Sequence, residues 1–251
     1  MISPRFAAAS PTLVFALAPA LPLALAGCAS SSTPTPAAVS SAPAAVSSAP
    51  AAITAPSAAT GSALVPYADQ ADGFAVGLPA SWKPIRIDST DIDAAVASLQ
   101  STNPQVATFF QSHKDALIAT GDRLCGMDLS ADALSAGTAE AITAKTTTVP
   151  DGTSADDFAT SVSAGLRSEP GVSTQIDQRH VTLASGADAV EITYQIAAQG
   201  SSGQPATSDM TTYLLLKGTQ ACALTLTIRS DFAAQYASTY SAIGQSFRLL
   251  P

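Results

Sequence analysis

The chain has 251 residues, which bounds it at one domain with at most a small second one. Charged residues make up 12%, the formal net charge is -8 and the pI is near 4.5. Such a chain lacks the clustered Lys and Arg that phosphate backbones require, which excludes nucleic acid as a partner, and the same acidity disfavours broad electrostatic adhesion to anionic lipid heads.

Met1 to Arg5 carries one positive side chain, and Phe6 to Leu25 is apolar but broken by Pro11, Pro19 and Pro22. Its longest proline-free run falls short of the ~20 residues of a membrane-spanning helix. Residues 1–27 therefore read as a signal peptide. They end in Leu25-Ala26-Gly27, followed by Cys28. This resembles the bacterial lipobox, in which the cysteine is diacylglycerated and the chain is cut just before it. Lipidation of Cys28 is the expectation. At about 0.8 kcal/mol per buried CH₂, two acyl chains hold durably where one binds reversibly. Loss of the leader removes Arg5 and no acid, leaving 10 cations against 19 acids, a net -9.

Residues 28–62 form the next segment. From Ala29 to Gly61 they hold only Ala, Ser, Thr, Pro, Val, Ile and Gly. Ala37 to Pro43 is copied at Ala44 to Pro50, and Ala51 to Pro56 is a degenerate third copy. The recurring prolines exclude a coiled coil, and no large side chain repays the entropy of ordering. The composition predicts a disordered tether, reaching up to about 100 Å at ~3.1 Å per residue. Its Ser and Thr beside Pro are either O-glycan acceptors or a bare spacer.

Aromatic, charged and periodic apolar residues begin near Ala63, so residues 63–251 are expected to form a single domain with one core. Phe74, Val76 and Leu78 alternate as in a strand, and Pro79 to Trp82 reads as a turn. Ser89 to Gln100 has helical spacing, with Asp91 and Asp93 where the helix dipole favours acids. Pro104 opens a second helix carrying Val106, Phe110, His113 and Leu117, and Gly121 stops it. Leu124 to Leu129 predicts a strand with Cys125, Met127 and Leu129 on one side. Ala139 to Val149 is a Thr-rich strand. Ser154 with Asp157 reads as a capping box, ahead of Phe158, Val162 and Leu166 on a third helix.

Ser173 to Leu183 predicts a strand that turns at Ser185-Gly186. Val190 to Ile196 alternates apolar residues with Glu191, Thr193 and Gln195. Gln199 to Ser208 is a polar loop, and polar loops often carry contacts. Met210 to Lys217 and Gln220 to Ser230 form a hairpin turning at Gly218-Thr219. Phe232, Tyr236, Tyr240, Ile243 and Phe247 lie at spacings of 4, 4, 3 and 4 on a last helix. Successive hairpins with amphipathic helices imply an α+β fold, an antiparallel sheet flanked by helices.

Three cysteines are present, and Cys28 is assigned to lipid. Cys125 and Cys222 fall on apolar strand faces. An exported compartment permits a disulfide between them, closing a loop of ~100 residues worth up to about 4.7 kcal/mol. The other reading is two buried thiols. There are two histidines. His113 lies on an apolar helix stripe, which favours a core or border role. His180 follows Arg179 on the alternate strand face. No Gly-x-Ser-x-Gly, His-Glu-x-x-His, Cys-x-x-Cys or Gly-rich phosphate loop occurs. The acid groups Asp88, Asp91 and Asp93, and Asp151, Asp156 and Asp157, sit at expected helix starts and are explained by capping; Asp128 and Asp132 form a smaller pair. No metal, cofactor or catalytic residue is expected. Trp82, the one tryptophan, either pins the first strand or lines a binding surface, since aromatics dominate recognition hot spots.

The run Gly73 to Trp82 (GFAVGLPASW) resembles the opening strand of PsbP-like domains. The ending, from Gly218 through the last helix to Ser246-Phe247-Arg248, resembles their close. The whole order is similar to actinobacterial lipoproteins of the LpqN/LpqT type. The resemblance covers about Ala63 to Pro251 and implies a PsbP-like α/β/α sandwich. It also implies a non-enzymatic binding or assembly role at the outer face of the cell membrane, with an envelope protein as partner. The alternative expectation is a carrier or sensor of a small apolar or glycan ligand, held in a pocket between sheet and helices.

Overall fold

The computed structural model describes residues 63–129, 140–199 and 205–251. The leader, Cys28, the tether, Asp132 and the centre of the Gln199–Ser208 loop lie outside them. Among the described residues the order is β1 (Leu64–Asp69), β2 (Phe74–Pro79), β3 (Trp82–Arg86), α1 (Ser89–Leu99), α2 (Pro104–Thr120), β4 (Leu124–Asp128) and β5 (Ala141–Thr148). Then follow α3 (Ala155–Ser168), β6 (Val172–Thr182), β7 (Asp188–Gln199), β8 (Pro205–Lys217), β9 (Gln220–Arg229), α4 (Ala233–Ser246) and β10 (Arg248–Leu249).

Local chemistry places the helix ends. Asp88 caps α1, accepting the Asp91 amide at 2.8 Å. Pro104 opens α2, and Gly121 closes it at φ 75°, a conformation glycine adopts without Cβ strain. At α3 the Ser154 hydroxyl accepts the Asp157 amide at 3.0 Å and the Asp157 carboxylate reaches back to the Ser154 amide, completing the capping box.

Two antiparallel sheets form: three strands in the order β1-β2-β10, and seven in the order β3-β4-β5-β9-β8-β7-β6. The fold is α+β, with antiparallel sheets flanked by helices. Successive strand residues point to opposite faces, and the cores divide accordingly. Leu124, Ile142, Leu224 and Leu226 join Phe74, Val76 and Leu78 of the small sheet, Tyr236 and Ile243 of α4, and Phe247 just after it. On the other face, Ile85, Cys125 and Met127 pack on Ile92 of α1 and Phe110 of α2. Farther across that face, Val190, Ile192 and Leu214 pack on Phe158, Val162 and Leu166 of α3. Each fully buried Leu, Ile or Phe contributes roughly 1.5–3 kcal/mol.

Three short strands depart from the sequence expectation. β1 contains Pro66 and shows no clean alternation of buried and exposed residues. β3 occupies the place expected to be a turn at Trp82; it contains Pro84, which the sheet edge tolerates. β10 has two residues, which pair with Ala75 and Phe74 of β2. The Gln199–Ser208 loop is also narrower than expected, because β7 runs to Gln199 and β8 starts at Pro205.

Candidate functional site

The sequence singled out Trp82, Cys125 and Cys222, and the structure assigns all three to the interior. Trp82 is 5% exposed. It opens β3 opposite Asp128 of β4, with its indole edge-on to the Tyr240 ring at a centroid distance of 6.0 Å. It is a core side chain and lines no surface. The packing follows from α4, whose Tyr236 and Tyr240 reach over the ends of β3, β4 and β9. The Tyr240 hydroxyl donates to the Thr227 carbonyl. Burial, then the neighbouring Glu140, Tyr236 and Asp128, push this phenol well above its ordinary pKa, so it stays protonated.

The cysteines are free thiols, which corrects the disulfide expectation. Cys125 pairs with Thr143 of β5, which pairs with Thr225 of β9. Cys222 lies three residues along from Thr225. An odd offset sends the two side chains to opposite sheet faces. Two strand spacings add roughly 9–10 Å sideways, beyond the ~7 Å Cα separation that a disulfide tolerates. Burial pushes the Cys125 thiol up to about 12 and the Cys222 thiol up as well, so neither supplies a thiolate at neutral pH.

The histidines stay apart. His113 Nδ1 lies 2.9 Å from the Phe109 carbonyl, one helical turn back, and its ring stacks on Phe109 at 4.5 Å. His180 Nε2 lies 2.8 Å from Asp156 at the start of α3. α2 belongs to the β3–β4 end of the large sheet and His180 to its opposite edge strand, β6.

Two ionic clusters went unread in the sequence. The first ties the sheets together at the β1–β2 turn. Asp72 accepts from Arg86 Nη2 at 3.2 Å, lies 3.3 Å from Arg123 Nε, and receives the Thr146 hydroxyl at 3.4 Å. Its carbonyl accepts from Gln220 Nε2 at 3.1 Å. Asp69, buried, faces Arg86 Nε at 3.3 Å. Burial and then Asp69 push the Tyr67 phenol up to about 12.

The second cluster is Glu191, 4% exposed although the alternation predicted a solvent-facing position. Its Oε1 accepts from Arg179 Nε at 2.7 Å and Nη2 at 2.6 Å. Burial and the Glu191 carboxylate push the Tyr213 phenol up. A signal for this pair was present: a hairpin centred on Ser185 places Arg179 opposite Glu191, as found. In these clusters every charge is met by a partner of this chain, so they tie strands and sheets together. Among the described residues no group of three or more His, Cys, Asp or Glu side chains is arranged to hold a metal ion. No helix among them is long and apolar enough to cross a membrane.

No protein-family profile matches the chain, and no curated protein matches it. Among solved structures it is similar to the cyanobacterial PsbP (CyanoP) of Synechocystis, at 13% identity and TM-score 0.43, over 75% of this chain and 93% of that one. It is similar also to LpqN of Mycobacterium tuberculosis, described as involved in cell envelope biogenesis, at 13% identity and TM-score 0.43, over 76% and 87%. A Bacteroides thetaiotaomicron protein aligns at 8% identity and TM-score 0.39, over 71% and 45%. None of these likenesses assigns a role to a residue of this chain.

Proposed function

We propose that the chain is an exported lipoprotein, held at the outer face of the cell membrane by lipid on Cys28. Its folded part serves there as a non-enzymatic module for protein interaction or assembly in the envelope. The actinobacterial source implied by the sequence resemblance belongs to the same reading. One observation carries it: Leu25-Ala26-Gly27-Cys28 directly follows an apolar, proline-broken leader and precedes a charge-free repetitive segment. The residue chemistry supports it. Asp72 is spent on two arginines, Glu191 on Arg179, and His180 on Asp156. The domain carries all 19 acids, so electrostatics would repel it from an anionic surface while the lipid holds it.

The test is fractionation of cells producing the full chain or its Cys28→Ser variant. The parent chain is expected in the membrane fraction and the variant outside it; unchanged membrane retention of the variant overturns the anchor. Native mass spectrometry of the detergent-extracted chain tests the role. A captured protein partner supports the assembly reading, whereas a stoichiometric small ligand replaces it with a carrier.

A further inference from the structure

Proteins blunt sheet edges because unpaired backbone groups recruit other strands. Among the described residues the two sheets have four edges. β1 carries Pro66, β3 carries Pro84 within five residues, and β10 has two residues. β6 differs: it has eleven residues, VSTQIDQRHVT, with no Pro, Gly or Lys, and no other described strand pairs with its outer edge. Its one irregularity is a register shift between Val172 and Ile176, and from Ile176 onward it runs in unbroken register with β7.

The charges on that straight stretch are self-complementary. Asp177 and Arg179 share one strand face, either side of Gln178. Asp177 is exposed, accepts from Gln175 Nε2 at 3.1 Å and meets no cation among the described residues. Arg179 is 72% exposed; its Nε and Nη2 bind Glu191 of the inner strand β7, which orders the side chain and leaves Nη1 for a second carboxylate. We propose that β6 is a homotypic docking edge, Ile176 to His180 pairing antiparallel with the same residues of a second copy about a two-fold axis at Gln178.

That register places Asp177 opposite Arg179 of the second copy and Arg179 opposite its Asp177. It places Ile176 opposite His180, and Gln178 opposite itself. The contact is isologous and closed, so it stops at two copies. Opposite charges directly across strands favour the register, and like charges there oppose it. Gln178 and His180 reach α3 through Ser163 and Asp156 on the sheet face, leaving the backbone edge open. Five residues make a short ladder. Two lipid anchors in one membrane raise the effective concentration, and for that gain the pairing rests on the anchored reading above.

Cysteine cross-linking in the full chain, in its membrane, tests the register. Gln178→Cys faces its own copy across the axis, so mild oxidation is expected to give a band of doubled mass above the parent-chain baseline. Thr182→Cys is displaced from its copy by eight residues, roughly 27 Å at ~3.4 Å per residue, and is expected to stay at baseline. Adding Asp177→Arg to Gln178→Cys sets arginine against arginine and is expected to lower the cross-linked fraction severalfold. Equal cross-linking at 178 and 182, or none at 178, overturns the proposal, as does a band whose mass shows a different protein on the edge. Should Gln178→Cys fail to accumulate, Ile176→Cys with His180→Cys carries the same test. Fractionation of the same cells reads the anchor separately, so a failed anchor and a failed pairing are told apart.

Discussion

Asp122 is half-buried at the end of α2, and burial raises its carboxyl pKa against the Thr120 hydroxyl and Lys145, which lower it. A carboxyl raised in the folded state binds its proton more tightly there than in the unfolded chain. Its contribution to stability is therefore full below the unfolded pKa and is lost as pH rises through the folded one. Asp122→Asn is expected to raise the urea midpoint at about pH 7, with the gain over the parent closing near pH 3. A lower midpoint at neutral pH would show that the Thr120 and Lys145 contacts outweigh the burial. The cysteines give a second residue-scale outcome. Unfolded without reductant, the chain is expected to expose two reactive thiols, Cys125 and Cys222, in addition to any at Cys28; their absence would restore the disulfide. The apolar strand faces of both cysteines were legible in the alternation. Which sheet face each strand turned to was not, because that depends on β5 lying between β4 and β9.

At the scale of the element, helix ends were the most legible features, because caps act within four residues. Asp88, Pro104, Gly121 and Ser154 all lie where the local signals placed them. Ser154→Ala removes the hydroxyl that accepts the Asp157 amide and is expected to cost about 1 kcal/mol in chemical denaturation. An unchanged midpoint would mean that packing of Phe158, Val162 and Leu166 alone sets the start of α3. Long hairpins were legible too, since turns at Gly186 and Gly218 set the register of β6 on β7 and of β8 on β9. The same register sets Arg179 opposite Glu191. β1, β3 and β10 were not legible. They are short, two contain proline, and each exists because a neighbouring strand offers it a backbone edge.

Among the described residues the two sheets are joined by a clasp. Asp72 lies in the β1–β2 turn, yet it reaches Arg86 of β3, Arg123 before β4, Thr146 of β5 and Gln220 of β9. Its side chain is 13% exposed while Arg86 and Arg123 are 39% and 48% exposed, so water screens the ion pairs from the arginine side only. Asp72→Ala strips two arginines of their shared carboxylate and is expected to cost on the order of 1–3 kcal/mol. Unfolding should remain a single transition, since the small sheet shares its core with α4 and the large sheet. A separate early transition would mean that the clasp, and not the shared core, holds the small sheet.

The sequence by itself determined what depends on near neighbours: helix caps, strand alternation, hairpin turns and the acidic balance. These are set by backbone preference and side-chain period over a few residues, so they can be read without knowing the rest. Only the tertiary structure decided what meets across distance. Thr146 lies 74 residues from Asp72, and Gln220 lies 148 away. Trp82 became core because α4 folds back over it, and Glu191 became buried because Arg179 and Tyr213 meet it from the strands on either side. Strand order chose these meetings, and strand order comes from the joint burial of three apolar clusters, a property of the chain as a whole.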